Sequence, residues 1–237
     1  MGAGIVTLRE GFEAALVVVI VLAFLNRTGK KVDVRPVWIG AGAAVALTVV
    51  TALGLVVVGA ELEGTSEAVF EGATMIIAAA LLTWMIFWMR RRAGSLKGEL
   101  ERQVGEALAA SSGFALAAVV FVGVAREGLE TALLLFSSFG SEGDFAAGIG
   151  AAIGLAGAVV LAFLLYKGIH RLDMRRFFQV TSVLLLVFAA WLLARGLEEL
   201  AEVGALPEGE SMAWLAFAVF AVPTLYFFFR RPTGTRA

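Results

Sequence analysis

The chain has 237 residues, 60% hydrophobic and 16% charged, with a formal net charge of −1 and no cysteine. A soluble domain carries about 45–50% apolar and about 25% charged residues, so the composition excludes one and points to an all-α, polytopic membrane protein. The missing cysteines exclude disulfides, zinc–thiolate sites, iron–sulfur clusters and thiol nucleophiles.

A membrane-spanning helix needs about 20 mostly apolar residues. The first such segment, 3–25, contains LREGFEAALVVV at 8–19. It has no basic leader and is broken by Arg9 and Glu10, so it is expected to remain rather than be cleaved as a signal peptide. A basic connection with Arg27, Lys30, Lys31 and Arg35 leads to the second span, 37–60. Glu61 and Glu63 precede the third, 67–89, which carries Glu67 and Glu71 near its start. Residues 90–112 hold Arg90, Arg91, Arg92, Lys97 and Arg102. Within them GSLKGELERQVGEAL (94–108) reads as a solvated connector in preference to an amphipathic surface helix. The fourth span, 113–139, contains AREGLETALLLF at 125–136. Glu142 and Asp144 separate it from the fifth, 146–166. Lys167, Arg171, Arg175 and Arg176 precede the sixth, 177–197, which ends in Glu198, Glu199 and Glu202. The seventh, 211–229, leads to a tail with Arg230, Arg231 and Arg236.

These lengths predict seven helices and exclude the ten-residue alternating strands of a membrane barrel. All nineteen basic residues except Arg9, Arg126 and Arg195 fall on one side. The positive-inside bias makes that side cytoplasmic, with the N-terminus out and the C-terminus in. The acids gather at the outer face, where a negative vestibule would concentrate cations.

The second half echoes the first. GAGAAVAL (40–47) resembles GIGAAIGL (148–155), and the Arg-Glu-Gly motifs at Arg9 and Arg126 are 117 positions apart. Units of three spans insert upside down relative to each other, the arrangement of many transporters whose sites lie where the repeats meet. The expected organisation is a single permease domain over 1–237. It comprises repeat one (about 1–90), a cytoplasmic connector (about 90–112), repeat two (about 113–200) and a seventh helix (about 211–230).

Helical residues three or four apart share a face, so Arg9, Glu10 and Glu13 cluster, as do Arg126, Glu127 and Glu130. Across a pseudo-twofold axis the four glutamates would form an outer Glu10/Glu130 pair and an inner Glu13/Glu127 pair, about 4–5 Å apart along the membrane normal. One arginine cannot neutralise two carboxylates, so the two motifs keep a formal charge of −2 that protons or a cation must complete. Carboxylate oxygen suits ferric iron, manganese, magnesium and calcium. The lone histidine, His170, sits in a basic connection and reads as a surface residue. Glu67, Glu71, Glu198, Glu199 and Glu202 are candidates for an access path from the vestibule.

REGFE at 9–13 and REGLE at 126–130, in the first and fourth of seven spans, resemble the paired motifs of high-affinity iron permeases, the fungal oxidase-dependent and bacterial Efe-type families. The resemblance implies iron import, with iron as substrate and no bound cofactor. It carries iron binding onto Glu10, Glu13, Glu127 and Glu130, with Arg9 and Arg126 as the motif arginines. It implies a separate iron oxidase or iron-delivery protein outside the membrane. The charge alone does not fix the oxidation state: −2 balances a divalent ion, and adding Glu71 makes −3, which suits a trivalent one; the ferric ion is favoured of the two. Other readings are a manganese, divalent-cation or proton-coupled transporter, an intramembrane enzyme, and a structural subunit whose motifs only lock helices. No Walker motif is present, nothing points to nucleic acid, and the oligomeric state, a homo-oligomer included, is left open.

Overall fold

The structure, a computed structural model, describes residues 2–27, 33–60, 64–92, 96–110, 112–142, 144–167, 174–204 and 210–229. Among them every regular element is a helix: α1 (Gly2–Arg27), α2 (Arg35–Ala60), α3 (Thr65–Arg92), α4 (Leu96–Ala109), α5 (Gly113–Glu142), α6 (Asp144–Tyr166), α7 (Met174–Glu202) and α8 (Glu210–Phe229). Lys30, Lys31, Glu61, Glu63, His170, Arg171, Glu208, Arg230, Arg231 and Arg236 lie outside the described residues.

Each expected span falls on a helix. Arg35–Gly59, Thr65–Met89, Phe145–Tyr166 and Arg176–Glu202 are long and apolar enough to cross a membrane. The motif charges interrupt α1 and α5. Yet at 26 and 30 residues they run about 39 and 45 Å, more than the ≈ 30 Å hydrocarbon core. The apolar part of α8 among the described residues is shorter, Trp214–Phe229. The chain is an all-α, multi-pass membrane protein.

The helices group into two compact units. The first contains α1, α2, α4, α5 and α6, and the second α3, α7 and α8. Within the first unit α1 packs along α6 and α2 along α5, while α1 and α5 also meet each other. The first two helices of one half are therefore paired crosswise with those of the other.

Close backbone approach makes the crosswise pairing. A Cβ on Gly4 would lie 2.9 Å from the Gly150 carbonyl oxygen. One on Gly154 would run into the Gly4 carbonyl and the Thr7 hydroxyl. The Thr7 hydroxyl donates to the Ala151 carbonyl of α6 at 3.0 Å, sharing its hydrogen with the Ala3 carbonyl at 2.9 Å. Small residues and interhelical hydrogen bonds of this kind drive helix association in lipid, where apolar burial adds little. Gly154→Ala should destabilise the protein by about 1–3 kcal/mol, since backbone cannot move aside. Gly148, on the same helix, has nothing within 4 Å of an added Cβ. Gly148→Ala should be neutral or stabilising by up to about 1 kcal/mol. Thermal unfolding in detergent compares the two, and equal effects would remove the close-approach argument. In the second unit Gly72 and Gly196 bring α3 and α7 together in the same way, each Cβ meeting the other's carbonyl oxygen at 2.8–2.9 Å.

Helix α4 corrects one expectation. Residues 94–108 read as a solvated connector, but 96–109 form a helix packed on α1 and α5. Leu100, Val104, Ala107 and Leu108 recur at helical spacing and make its apolar stripe. Val104 and Ala107 are buried with Val21 and Leu25 of α1 and Leu116 and Val120 of α5. Arg102 bridges Glu99 and Glu106 at 2.6 Å on the exposed face, where such pairs add little stability.

A candidate metal centre between the two motifs

Both motifs lie in the first unit, on α1 and α5, which touch. Each motif glycine packs on the second helix of the opposite half. A Cβ on Gly11 would meet Ala158 at 3.1 Å and Leu155 at 3.5 Å on α6. One on Gly128 would strike the side chain of Thr48 on α2. The Thr48 hydroxyl donates to the Ala44 carbonyl at 3.0 Å, which fixes its side chain against Gly128. The missing Cβ atoms let the motif helices sit deep in the unit.

Three of the four expected ligands come together. Glu10, Glu127 and Glu130 each offer a carboxylate oxygen, all within 4.8 Å of one another. Opposed oxygens at 2.0–2.6 Å from a hard cation lie about 4–5 Å apart, so the cluster has the right dimension for one ion. Glu10 is fully buried, and neither of its carboxylate oxygens has a hydrogen-bond partner. Glu127 Oε2 is in the same condition. Buried carboxylates without donors are costly unless a cation or proton completes them.

Glu13 is placed differently. Its Oε1 accepts from Arg9 Nε at 2.9 Å, with Arg9 only 1% and Glu13 7% exposed. The structure thus brings Glu10, Glu127 and Glu130 into one cluster and pairs Glu13 with Arg9 in a buried ion pair. In the second motif Arg126 Nε donates to Glu130 Oε1 at 3.1 Å and lies 3.9 Å from Glu127 Oε1. Arg126 is 38% exposed. The Arg126–Glu130 side of the cluster is thus more exposed than the Arg9–Glu13 side.

Below the cluster, toward the C-terminal end of α1 and the N-terminal end of α5, lies an apolar layer. It comprises Val21, Leu25, Val37, Ala44, Val104, Ala107, Leu116, Val120, Val124 and Ala125.

The access-path candidates all belong to the second unit. Glu67 and Glu202 are exposed and Glu71 is half-buried. Glu198 and Glu199 share Arg195, at 2.8 and 3.7 Å, so their charge is partly neutralised. Sequence reasoning passed over Thr48, although it is one of only two hydroxyls in the apolar run of α2.

The iron permease FTR1 family matches residues 1–219. The chain belongs to this family. Among its relatives, the ferrous iron permease EfeU of Shigella sonnei is 37% identical over 224 residues, 94% of this chain and 81% of the relative. The protein of the same name from Yersinia pestis is 35% identical over 202 residues, covering 84% and 72%. An uncharacterized protein of Archaeoglobus fulgidus is 39% identical over 203 residues, covering 86% and 71%. No solved structure matches the chain. Family membership and the spanning helices place this FTR1-type permease in the cell membrane.

Proposed function

We propose that the chain imports iron across the cell membrane through the Glu10, Glu127 and Glu130 cluster. The observation that carries this is Glu10, whose buried carboxylate faces two others and no donor. The family and the names of its relatives supply the metal. The proposed topology is N-out and C-in, with two inverted repeats over about 1–90 and 113–200, a connector over about 90–112, and a seventh spanning helix. Crosswise packing supports the repeat, because exchanging the halves turns the α1–α6 pair into the α5–α2 pair. The contacts of Gly11 and Gly128 exchange in the same way, since Thr48 shifted by 108 falls between Leu155 and Ala158.

The crosswise pairs also bear on mechanism. Rocking one repeat against the other would tear α1 from α6 and α2 from α5, so changes within the first unit are the favoured route to alternating access.

Iron(II) is the favoured ion. Three carboxylates and Arg126 sum to −2, which balances a divalent cation, and the named relatives are ferrous permeases. The ferric alternative requires a further carboxylate ligand such as Glu71. Any iron-delivery or oxidase partner would be a separate chain. Liposomes carrying the purified protein should take up iron(II) under ascorbate faster than iron(III) citrate or manganese(II). Glu127→Gln should cut that uptake by more than the 10–100-fold typical of outer-shell partners, so at least about 100-fold. Faster manganese uptake would keep the permease and replace its substrate. No uptake of any of the three would overturn the function.

A further inference from the structure

Helix α2 meets α5 along a flat face with one projection. A Cβ on Gly40 would run into the Ala117 carbonyl, and Ala44 is buried in the apolar layer with Leu116 and Val120. One turn further on, Thr48 fills the notch left by Gly128. A Cβ on Gly128 would lie 3.1 and 3.3 Å from Thr48 Cβ and Cγ2 and would collide with Oγ1. The hydroxyl oxygen therefore rests on the glycine Cα, in the manner of the Cα–H···O contacts between packed helices. Its hydrogen goes to the Ala44 carbonyl at 3.0 Å, which fixes the rotamer.

We propose that Thr48 is a specificity-determining residue, a backstop that sets the width of the Glu10, Glu127 and Glu130 cluster and so the size of the cation it accepts. The inference rests on the import function proposed above.

Position is the first support. Successive helical residues are about 100° apart, so Gly128 lies about 160° from Glu130 around α5. Thr48 thus presses on α5 from behind a carboxylate that faces Glu10 of α1. The helix cannot recede toward α2 past Thr48, and thickening the contact drives Glu130 toward Glu10. The matching contact of α1 has no such effect. Gly11 rests on Ala158 and Leu155, and the residue behind which they stand is Glu13, which is not one of the three.

Magnitude is the second. Thr48→Val keeps the shape of the side chain and exchanges the oxygen for a methyl. Carbon atoms pack at about 3.5–4.0 Å, against about 3.3–3.6 Å for a Cα–H···O contact, so α5 moves about 0.3 Å toward α1. Carboxylate oxygen stands about 2.0–2.2 Å from zinc and about 2.3–2.6 Å from calcium, a difference of about 0.7 Å across two opposed ligands. The shift is about half of that difference, enough to bear on a choice made by cavity size. Thr48→Ala removes both the hydroxyl and the methyl, and α5 relaxes toward α2 to widen the cluster.

The test measures binding of iron(II) under ascorbate to the purified full chain in detergent, and its displacement by zinc(II) and by calcium(II). Melting temperatures check that each variant is folded. Thr48→Val should make zinc a stronger competitor and calcium a weaker one, each by about threefold or more. Thr48→Ala should shift both in the opposite direction. Thr48→Ser keeps the oxygen and should match the wild type. Unchanged preference in folded Thr48→Val and Thr48→Ala would overturn the backstop and leave the import function standing. Shifts in the same direction in both variants, or a uniform loss of iron(II) affinity, would overturn it as well, since these mark a purely structural contact. So would Thr48→Ser behaving like Thr48→Ala, because the oxygen would then not be the stop. If the wild-type protein binds no iron(II), the import function itself falls, and the backstop with it.

Discussion

Glu10→Gln should abolish iron uptake while leaving the protein as stable as before, or more stable. Glu10 is fully buried, and both its oxygens lack a hydrogen-bond donor. An ionised carboxylate in that position costs stability when no cation is bound. A neutral amide of the same size removes the penalty and with it the central charge of the cluster. Uptake should drop at least about 100-fold, beyond the loss seen for outer-shell partners. The melting temperature in detergent without metal should hold or rise. A group that locks helices together would behave in the opposite way, with the melting temperature falling and transport failing only in proportion to unfolding. That outcome would make the motif structural.

Arg9→Gln should be the most destabilising single change in the two motifs. Arg9 is buried, and its removal takes from the buried Glu13 carboxylate the guanidinium that pairs with it. Breaking a buried pair from one side costs about 3–5 kcal/mol. Neutralising both partners is often close to neutral. The Arg9→Gln/Glu13→Gln double variant should therefore recover most of the loss. Arg126→Gln, at the matching position of the second motif, should cost much less because Arg126 is far more exposed than Arg9. Thermal unfolding of the four proteins decides the matter. Equal losses for Arg9 and Arg126 would mean that the two motifs share one environment after all.

Much of this architecture can be read from residues. Seven apolar runs of about 20 residues become seven helices because the chain in lipid must satisfy its backbone internally. Two Arg-Glu-Gly-x-Glu motifs in apolar surroundings mark the cluster because isolated charges are not left at that depth without partners. Other features are hidden for physical reasons. Helices α2 and α6 are apolar all round, so no polar stripe shows which neighbour each one takes. Their pairing is decided by Gly4, Gly150 and Gly154, whose meaning depends on a partner distant in sequence. Helix α4 escaped because Gly98 and Gly105 weaken its helical signal, and only its tertiary contacts identify Val104 and Ala107 as core residues. The difference between Arg9 and Arg126 is the least legible of all. Nearly identical pentapeptides carry no record of which one is buried.

The apolar layer beneath the cluster bears on the cell's energy supply. A membrane that stores energy as a proton gradient cannot tolerate a continuous file of water through an importer. In the proposed N-out topology, ten packed side chains from Val21 to Ala125, none with a polar side-chain atom, would stand in the way of such a file on the inner side of the carboxylates. Two of them, Val104 and Ala107, come from α4, a segment outside the spanning set. On that topology, a helix that would pass for a simple tether between the two halves would help to keep the permease proton-tight, so that the cell could collect a scarce metal without short-circuiting its own membrane.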